Sequence, residues 1–244
     1  GQMARRLKAP VLAGVKAVTF DAYGTIIDFD EKDFIAAFAE IMAHQGLQGS
    51  AHELWRRFLR AAYRLRNENH EHPSYHRFVE AWARQFQEAF SQMGLAGKPR
   101  EAALYLRHKL AQATVHPEAH EVLGAVRSRY RVALLSNADD DFLGECLQRN
   151  NLSFDLVVTS ETARALKPDP AIFLHLVQAL ELEPSDVVYV GDNPLPDILG
   201  AKRAGLRAVW LDRFGRRRPR RIPPPDLKIK SLRHLLPALG LGNG

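Results

Sequence analysis

Short apolar runs rich in β-branched residues recur along the chain: "VKAVTF" (15–20), "RVALLS" (131–136), "LVVTS" (156–160), "VVYVG" (187–191) and "RAVWL" (207–211). A strand with one solvated face alternates apolar and polar residues. These runs do not alternate, which predicts strands buried on both faces of a parallel sheet. Between and after them, apolar residues fall three and four apart in "PEAHEVLGAVRSRY", "DFLGECLQRN", "DPAIFLHLVQALE" and "PDILGAKRAG", the spacing of helices with one buried face. Strand and helix in alternation predict an α/β fold, a doubly wound parallel sheet of Rossmann-like type covered on both sides.

Residues 30–113 break the alternation. "DFIAAFAEIMAHQG", "AHELWRRFLRAAYRLRNEN", "SYHRFVEAWARQFQEAFSQMG" and "REAALYLRHKLAQ" all carry the helical spacing, and no strand pattern interrupts them. This predicts a helical cap over 30–113, inserted into an α/β core made of 11–29 and 114–244. Ligands of open α/β sheets bind beyond the carboxyl ends of the strands, so a cap entering after the first strand is expected to lie over that end as a lid. Within it Trp82, Phe86 and Phe90 recur every fourth residue, which reads as core packing. His70, His72 and His76, beside Pro73, read as a surface loop between cap helices. "KSLRHLLPALG" reads as a closing helix that stops near Gly240.

Composition narrows the class. The chain has 244 residues, 46% of them hydrophobic, enough for one large domain or two small ones. No run approaches the roughly 18 apolar residues of a membrane span. The polar, basic start "GQMARRLKAP" lacks a signal core, and Gly1-Gln2 ahead of Met3 looks like a cloning remnant. The single cysteine, Cys146, rules out an internal disulfide or a cysteine-cluster metal site, so a cytoplasmic setting is expected. The formal charge of +6 raises the question of a polyanionic partner. Much of the excess sits in "RFGRRRPRR" (213–221), ahead of "IPPPD", which reads as a solvated loop. Neither nucleic acid nor membrane is an expected partner, and no large apolar stripe calls for a second subunit.

The chemistry gathers where the predicted strands end. The first ends on Asp21, within "FDAYGT". The second ends in "LLSN", with Ser136 and Asn137. Lys167 follows the third in "KPDP", and the fourth runs into "VGDNPLPDILGAKRAG", with Asp192 and Asp197. A parallel sheet brings these ends to one edge. Four motifs in this order, each on the expected element, with helices inserted after the first, resemble the haloacid dehalogenase-like superfamily across about residues 14–240. That resemblance implies a hydrolase in which Asp21 attacks the substrate, forming a covalent intermediate that water then cleaves. It implies that Ser136 and Asn137 bind the group transferred and that Lys167 neutralises the crowded negative charge. Mg²⁺ would sit on Asp21, Asp192, Asp197 and the backbone carbonyl of Tyr23. Gly24 and Thr25 would turn backbone amides towards anionic oxygens.

Tyr23 departs from the phosphatase pattern, which has a second Asp two residues after the nucleophile as general acid and base. Tyrosine, with a pKa near 10, is a poor substitute at neutral pH. "FDAYGT" is instead similar to the 2-haloacid dehalogenases, whose departing halide needs no proton. Those enzymes place an arginine early in the cap to grip the substrate carboxylate, and Arg56 in "ELWRR" matches it. Arg56 also belongs to a basic stripe with Arg60 and Arg64, opposite Trp55, Phe58, Leu59 and Ala62, the pattern of a solvated helix face. The fourth motif points back to metal-dependent members, because dehalogenases of this type carry Ser and Asn where Asp192 and Pro194 stand. A small anionic substrate is expected. Mg²⁺-dependent hydrolysis of a phosphate monoester ranks first, metal-free 2-haloacid dehalogenation second, and a non-catalytic binding relative third.

Overall fold

The computed structural model describes residues 10–65 and 70–242. The basic residues 1–9, the end of the second cap-helix pattern and the Asn67–Asn69 part of the histidine loop lie outside the described residues. Six strands form one parallel sheet: β1 (Ala17–Phe20), β2 (Arg131–Ser136), β3 (Leu156–Thr159), β4 (Val187–Gly191), β5 (Arg207–Leu211) and β6 (Leu227–Ile229). Their order, β3-β2-β1-β4-β5-β6, reverses direction between β1 and β4. That reversal is the crevice where open α/β sheets bind ligands. The expected doubly wound parallel sheet is what the chain forms. β6 is the one strand the sequence pattern does not announce, being three residues behind three consecutive prolines.

Both faces of the sheet are covered, as the unbroken apolar runs require. Val18, Phe20, Val132, Leu134, Val188 and Val190 enter one hydrophobic cluster, while Ala17, Ala133, Leu135, Val187 and Tyr189 enter the other. The alternation assigns neighbouring residues of each strand to opposite clusters. Between β1 and β2 run α1 (Glu31–His44), α2 (Ala51–Leu65), α3 (Phe78–Gln92), α4 (Pro99–Ala111) and α5 (Ala119–Arg127), with no strand among the described residues there. α1 starts on a capping box in which Asp30 accepts from the Lys32 amide and Asp33 from the Asp30 amide. α2 buries Leu54, Phe58, Ala61 and Ala62; Leu59, expected on that face, is 40% exposed. Trp82, Phe86 and Phe90 of α3 are buried as expected. The core of α1–α4 continues into the sheet's own core, where Trp82 stacks on Phe142 and Tyr23 packs against Phe29 and Phe142.

The remaining α-helices among the described residues are α6 (Asp140–Arg149), α7 (Ser160–Ala163), α8 (Pro170–Leu180), α9 (Gly200–Arg203) and α10 (Leu235–Ala238). The expected helix over "PDILGAKRAG" divides into a π-helical turn, Pro194–Leu199, followed by α9. Such widened turns recur at functional sites. The expected closing helix is a 3₁₀ turn at Leu232–His234 followed by the short α10, which contains Pro237. No helix among the described residues is long and apolar enough to cross a membrane.

Candidate active site

Asp21 follows β1 directly, and its amide extends the ladder to Val190 O at 2.9 Å. Asp192 follows β4, Asp197 lies in the π-helical turn, and Lys167 precedes α8. Asp169 accepts from the Ala171 amide as the cap of α8, and Pro170 is its first residue. Pro-Asp-Pro thus starts the helix, and the lysine ahead of it is sent into the crevice. Lys167 Nζ donates to Asp21 Oδ1 at 2.9 Å, Asp197 Oδ1 at 2.7 Å and the Tyr189 hydroxyl at 2.9 Å. An ammonium has three protons, so all three are used. Tyr189 in turn donates to Leu135 O at 2.8 Å. Sequence reasoning passed over Tyr189, although a phenol in the middle of a buried strand must find a polar partner.

Two glycines make room for the carboxylates. Gly24 has φ +89°, and a Cβ there would lie 2.5 Å from Asp192 Oδ2. A Cβ on Gly191 would lie 2.4 Å from Asp197 Cγ. Oxygens of Asp21, Asp192 and Asp197 all come within 4.8 Å of one another. Three carboxylates cluster around one ammonium, which leaves two formal negative charges where Asp21 and Asp197 are buried and Asp192 is half-buried. The cost appears in the acidities. Burial, opposed by Lys167 and reinforced by Asp197, pushes Asp21 up to about 6. Burial, with Asp21 and Asp197, pushes Asp192 well above the ordinary carboxylate range. Burial opposes the charge on Lys167, but Asp197 and Asp21 outweigh it and hold the amine above its usual range. An all-oxygen donor set with this deficit fits one hard divalent cation. His70, His72 and His76 belong to neither of the acidic groupings among the described residues that could hold a metal.

Several sequence expectations need correction. The Gly24 and Thr25 amides do not face the crevice: they donate to Ile27 O and Ala22 O, closing the tight turn after Asp21. Thr25 reaches the site through its hydroxyl, 3.3 Å from Asp21 Oδ2. The Asn137 carboxamide clasps the backbone of Lys167, accepting from its amide at 2.8 Å and donating to its carbonyl at 3.3 Å. It therefore shapes the lysine loop while also lining the cleft, where Ser136 is buried beside it. Arg56 is not brought to the site: its side chain is 64% exposed and paired with Glu53. The "RFGRRRPRR" segment is not simply solvated, because Arg213 is half-buried and Arg213 and Arg216 both bond backbone carbonyls of the loops that carry Asp21 and Asp192.

Tyr23 turns its ring into the hydrophobic core, and its hydroxyl donates to Leu110 O near the end of α4 at 2.9 Å. Burial and the nearby Cys146 hold the phenol above its ordinary pKa. Facing α4 and neutral, it is not placed to exchange protons with a group on Asp21. Above the carboxylates opens a cleft of about 800 Å³, whose far wall includes Lys32, Phe34 and Ile35 of α1 and His52 and Trp55 of α2. Trp55 stacks on Phe34 at 5.0 Å. A second tie between the sheet and the inserted helices went unread in the sequence. The Asp139 carboxylate, buried after β2, accepts from the Phe78 and Val79 amides at the start of α3.

The family model described as haloacid dehalogenase-like hydrolase matches residues 15–205. A phosphoserine phosphatase of Thermus thermophilus is 36% identical over 172 residues, 67% of this chain and 69% of that protein. An (S)-2-haloacid dehalogenase of Burkholderia cepacia is 27% identical over 92% of each chain. Among solved structures, the L-2-haloacid dehalogenase of Xanthobacter autotrophicus with covalently bound chloropropionic acid superposes with a TM-score of 0.71 at 20% identity, covering 91% of this chain and 96% of its own. A magnesium-bound hydrolase of Bacillus subtilis gives 0.76 at 16% identity, covering 92% and 98%. At these identities the structural likeness speaks for the fold.

Proposed function

The chain belongs to the haloacid dehalogenase-like hydrolases, and we propose that within this family it is a Mg²⁺-dependent phosphatase of small phosphate monoesters. One observation carries this reading. The clustered trio Asp21, Asp192 and Asp197 offers only oxygen donors, and Lys167 is the one cation ion-paired with its carboxylates among the described residues, so the trio's formal charge exceeds that partner by the charge of one divalent ion. Asp192 is the decisive member, because a carboxylate there without a metal would sit against the nucleophile at high cost.

Asp21, Asp192, Asp197 and the Tyr23 carbonyl are the residues to hold Mg²⁺. When bound, the ion would offset the charge that three carboxylates and a phosphoryl group bring together. Asp21 Oδ1 is engaged by Lys167, which leaves Oδ2, with its long contact to Thr25, as the oxygen to attack phosphorus. The bond to the leaving oxygen breaks as the Asp21–phosphorus bond forms, and water then cleaves the acyl phosphate. Lys167 neutralises charge on Asp21 throughout, oriented by Tyr189 and by the Asn137 clasp. Ser136 offers its hydroxyl to the transferred group. Helices α1–α4, residues 30–113, serve as the cap, with α1 and α2 facing the leaving group across the cleft.

With the Tyr23 phenol tied to Leu110, no side chain at position 23 protonates the leaving oxygen. Activated aryl phosphates are therefore the better substrates, and the rate depends steeply on leaving-group acidity. The same tyrosine favours a second reading, 2-haloacid dehalogenation, since halide leaves without a proton. Phosphate release from p-nitrophenyl phosphate, with Mg²⁺ and then with excess chelator, tests the order. Release that the chelator abolishes supports the phosphatase. No phosphate release, with chloride release from 2-chloropropionate in chelator, overturns it in favour of the dehalogenase.

A further inference from the structure

The basic segment after β5 carries two arginines whose partners lie in both catalytic loops. Arg213 Nη1 donates to Gly24 O at 2.7 Å and Nη2 to Thr25 O at 3.1 Å, with Glu118 Oε1 3.4 Å from the same nitrogen. Its side chain is 19% exposed and that of Glu118 13%, so this is a largely desolvated contact. Arg216 Nη2 donates to the carbonyl of Asp192 at 2.6 Å, and Trp210 Nε1 reaches the same oxygen at 3.1 Å. Asp212, fully buried, lies 3.5 Å from Arg216 Nε and accepts from the Phe214 amide, which folds the segment back over the site.

The turn after Asp21 closes on itself through three amides, Thr25, Ile26 and Ile27, that all donate to Ala22 O. Its outer carbonyls, Gly24 and Thr25, are the ones Arg213 takes. A planar guanidinium bonded to two successive carbonyls fixes both peptide planes, which a single point charge does not. Gly24 is also the residue that meets the Asp192 carboxylate. We propose that Arg213 and Arg216 are positioning residues: a strap from the end of β5 that holds the Asp21 loop against the Asp192 loop at the spacing the chemistry needs. The strap's catalytic readouts rest on the phosphatase reading; its effect on loop rigidity does not.

The test compares R213Q, R213K, R216Q and, as control, R217Q, whose arginine is exposed on the same segment. The full chain is measured for kcat and KM on p-nitrophenyl phosphate, for the Mg²⁺ concentration giving half-maximal rate, and for hydrogen exchange over residues 22–27 and 192–197. In R213Q we expect kcat to fall about tenfold, the scale of one charge-assisted hydrogen bond, with KM nearly unchanged. Half-saturation by Mg²⁺ should need several-fold more metal, and exchange should rise over 22–27. R213K should recover part of the loss, R216Q should raise exchange over 192–197, and R217Q should match wild type. If wild type releases no phosphate, the phosphatase reading fails and exchange alone decides the strap. Exchange over 22–27 in R213Q and R213K that equals R217Q overturns the proposal. So does a loss of activity in R213Q that appears wholly in KM. Should R213Q not fold, R213K and R216Q carry the same comparison.

Discussion

Replacing Asp21 by Asn removes the candidate nucleophile, so activity is expected to vanish. The same change should make the metal-free protein more stable. Asp21 ionises near pH 4 in an unfolded chain and at about 6 in the folded one. A raised carboxyl pKa means the folded state binds more protons between these values, so its contribution to stability falls as pH rises from about 4 to about 6. Above that window both states are ionised and the full penalty stands. Two pKa units correspond to about 3 kcal/mol. That figure is already net of the favourable contact with Lys167. Asn fills the same volume and removes the charge, so D21N should gain up to about 3 kcal/mol at pH 8. For a chain of this size that is a rise in Tm of roughly 6–12 °C. Thermal unfolding in chelator at pH 8 and pH 4 measures it: a clear gap at pH 8 that closes at pH 4 is expected. Mg²⁺ at pH 8 should raise the Tm of wild type more than that of D21N. Equal or lower stability of D21N at pH 8 without metal would refute the reasoning, because it would mean that the Asp21 charge is accommodated at no net cost.

Other changes probe single contacts. Tyr23→Phe should keep kcat within about twofold while lowering stability by about 1 kcal/mol, since the phenol's bond goes to Leu110 O and not to the reacting group; kinetics and urea unfolding read the two effects. Lys167→Met should abolish measurable turnover and cost about 3–5 kcal/mol, because it leaves the buried Asp21 and Asp197 carboxylates without their ion-pair partner, and Mg²⁺ titration of its Tm should show unusually large stabilisation. Gly24→Ala combines a left-handed backbone with a contact to Asp192, so a loss of at least about 1 kcal/mol and weaker Mg²⁺ dependence are expected in unfolding and activity assays. Asp139→Ala should cost about 1–2 kcal/mol by uncapping α3, and should raise hydrogen exchange at Phe78 and Val79 without altering the Mg²⁺ requirement.

Much of the candidate site could be read along the chain, because a parallel sheet turns sequence order into spatial order. Asp21, Ser136 and Asp192 each stand at or just after the end of an apolar run, Lys167 follows another run after the short α7, and runs of one direction must end on one edge. Those residues follow from patterns a few positions long: a buried strand, its carboxyl end, a helix start at Pro-Asp-Pro. Where a side chain points once the chain is folded has no such local signature. Tyr23 is bound to a carbonyl 87 residues away, Arg213 to carbonyls 189 and 188 residues away, and Tyr189 to a lysine 22 residues away. Arg56 carries the right neighbours in sequence, yet Glu53, one helical turn earlier, takes its charge. The local pattern of the chain determined which groups reach the sheet edge, since periodicity and burial act over neighbouring residues. Tertiary packing alone decided which of them face the crevice, because hydrogen bonds between distant segments exist only after the sheet and the inserted helices have come together.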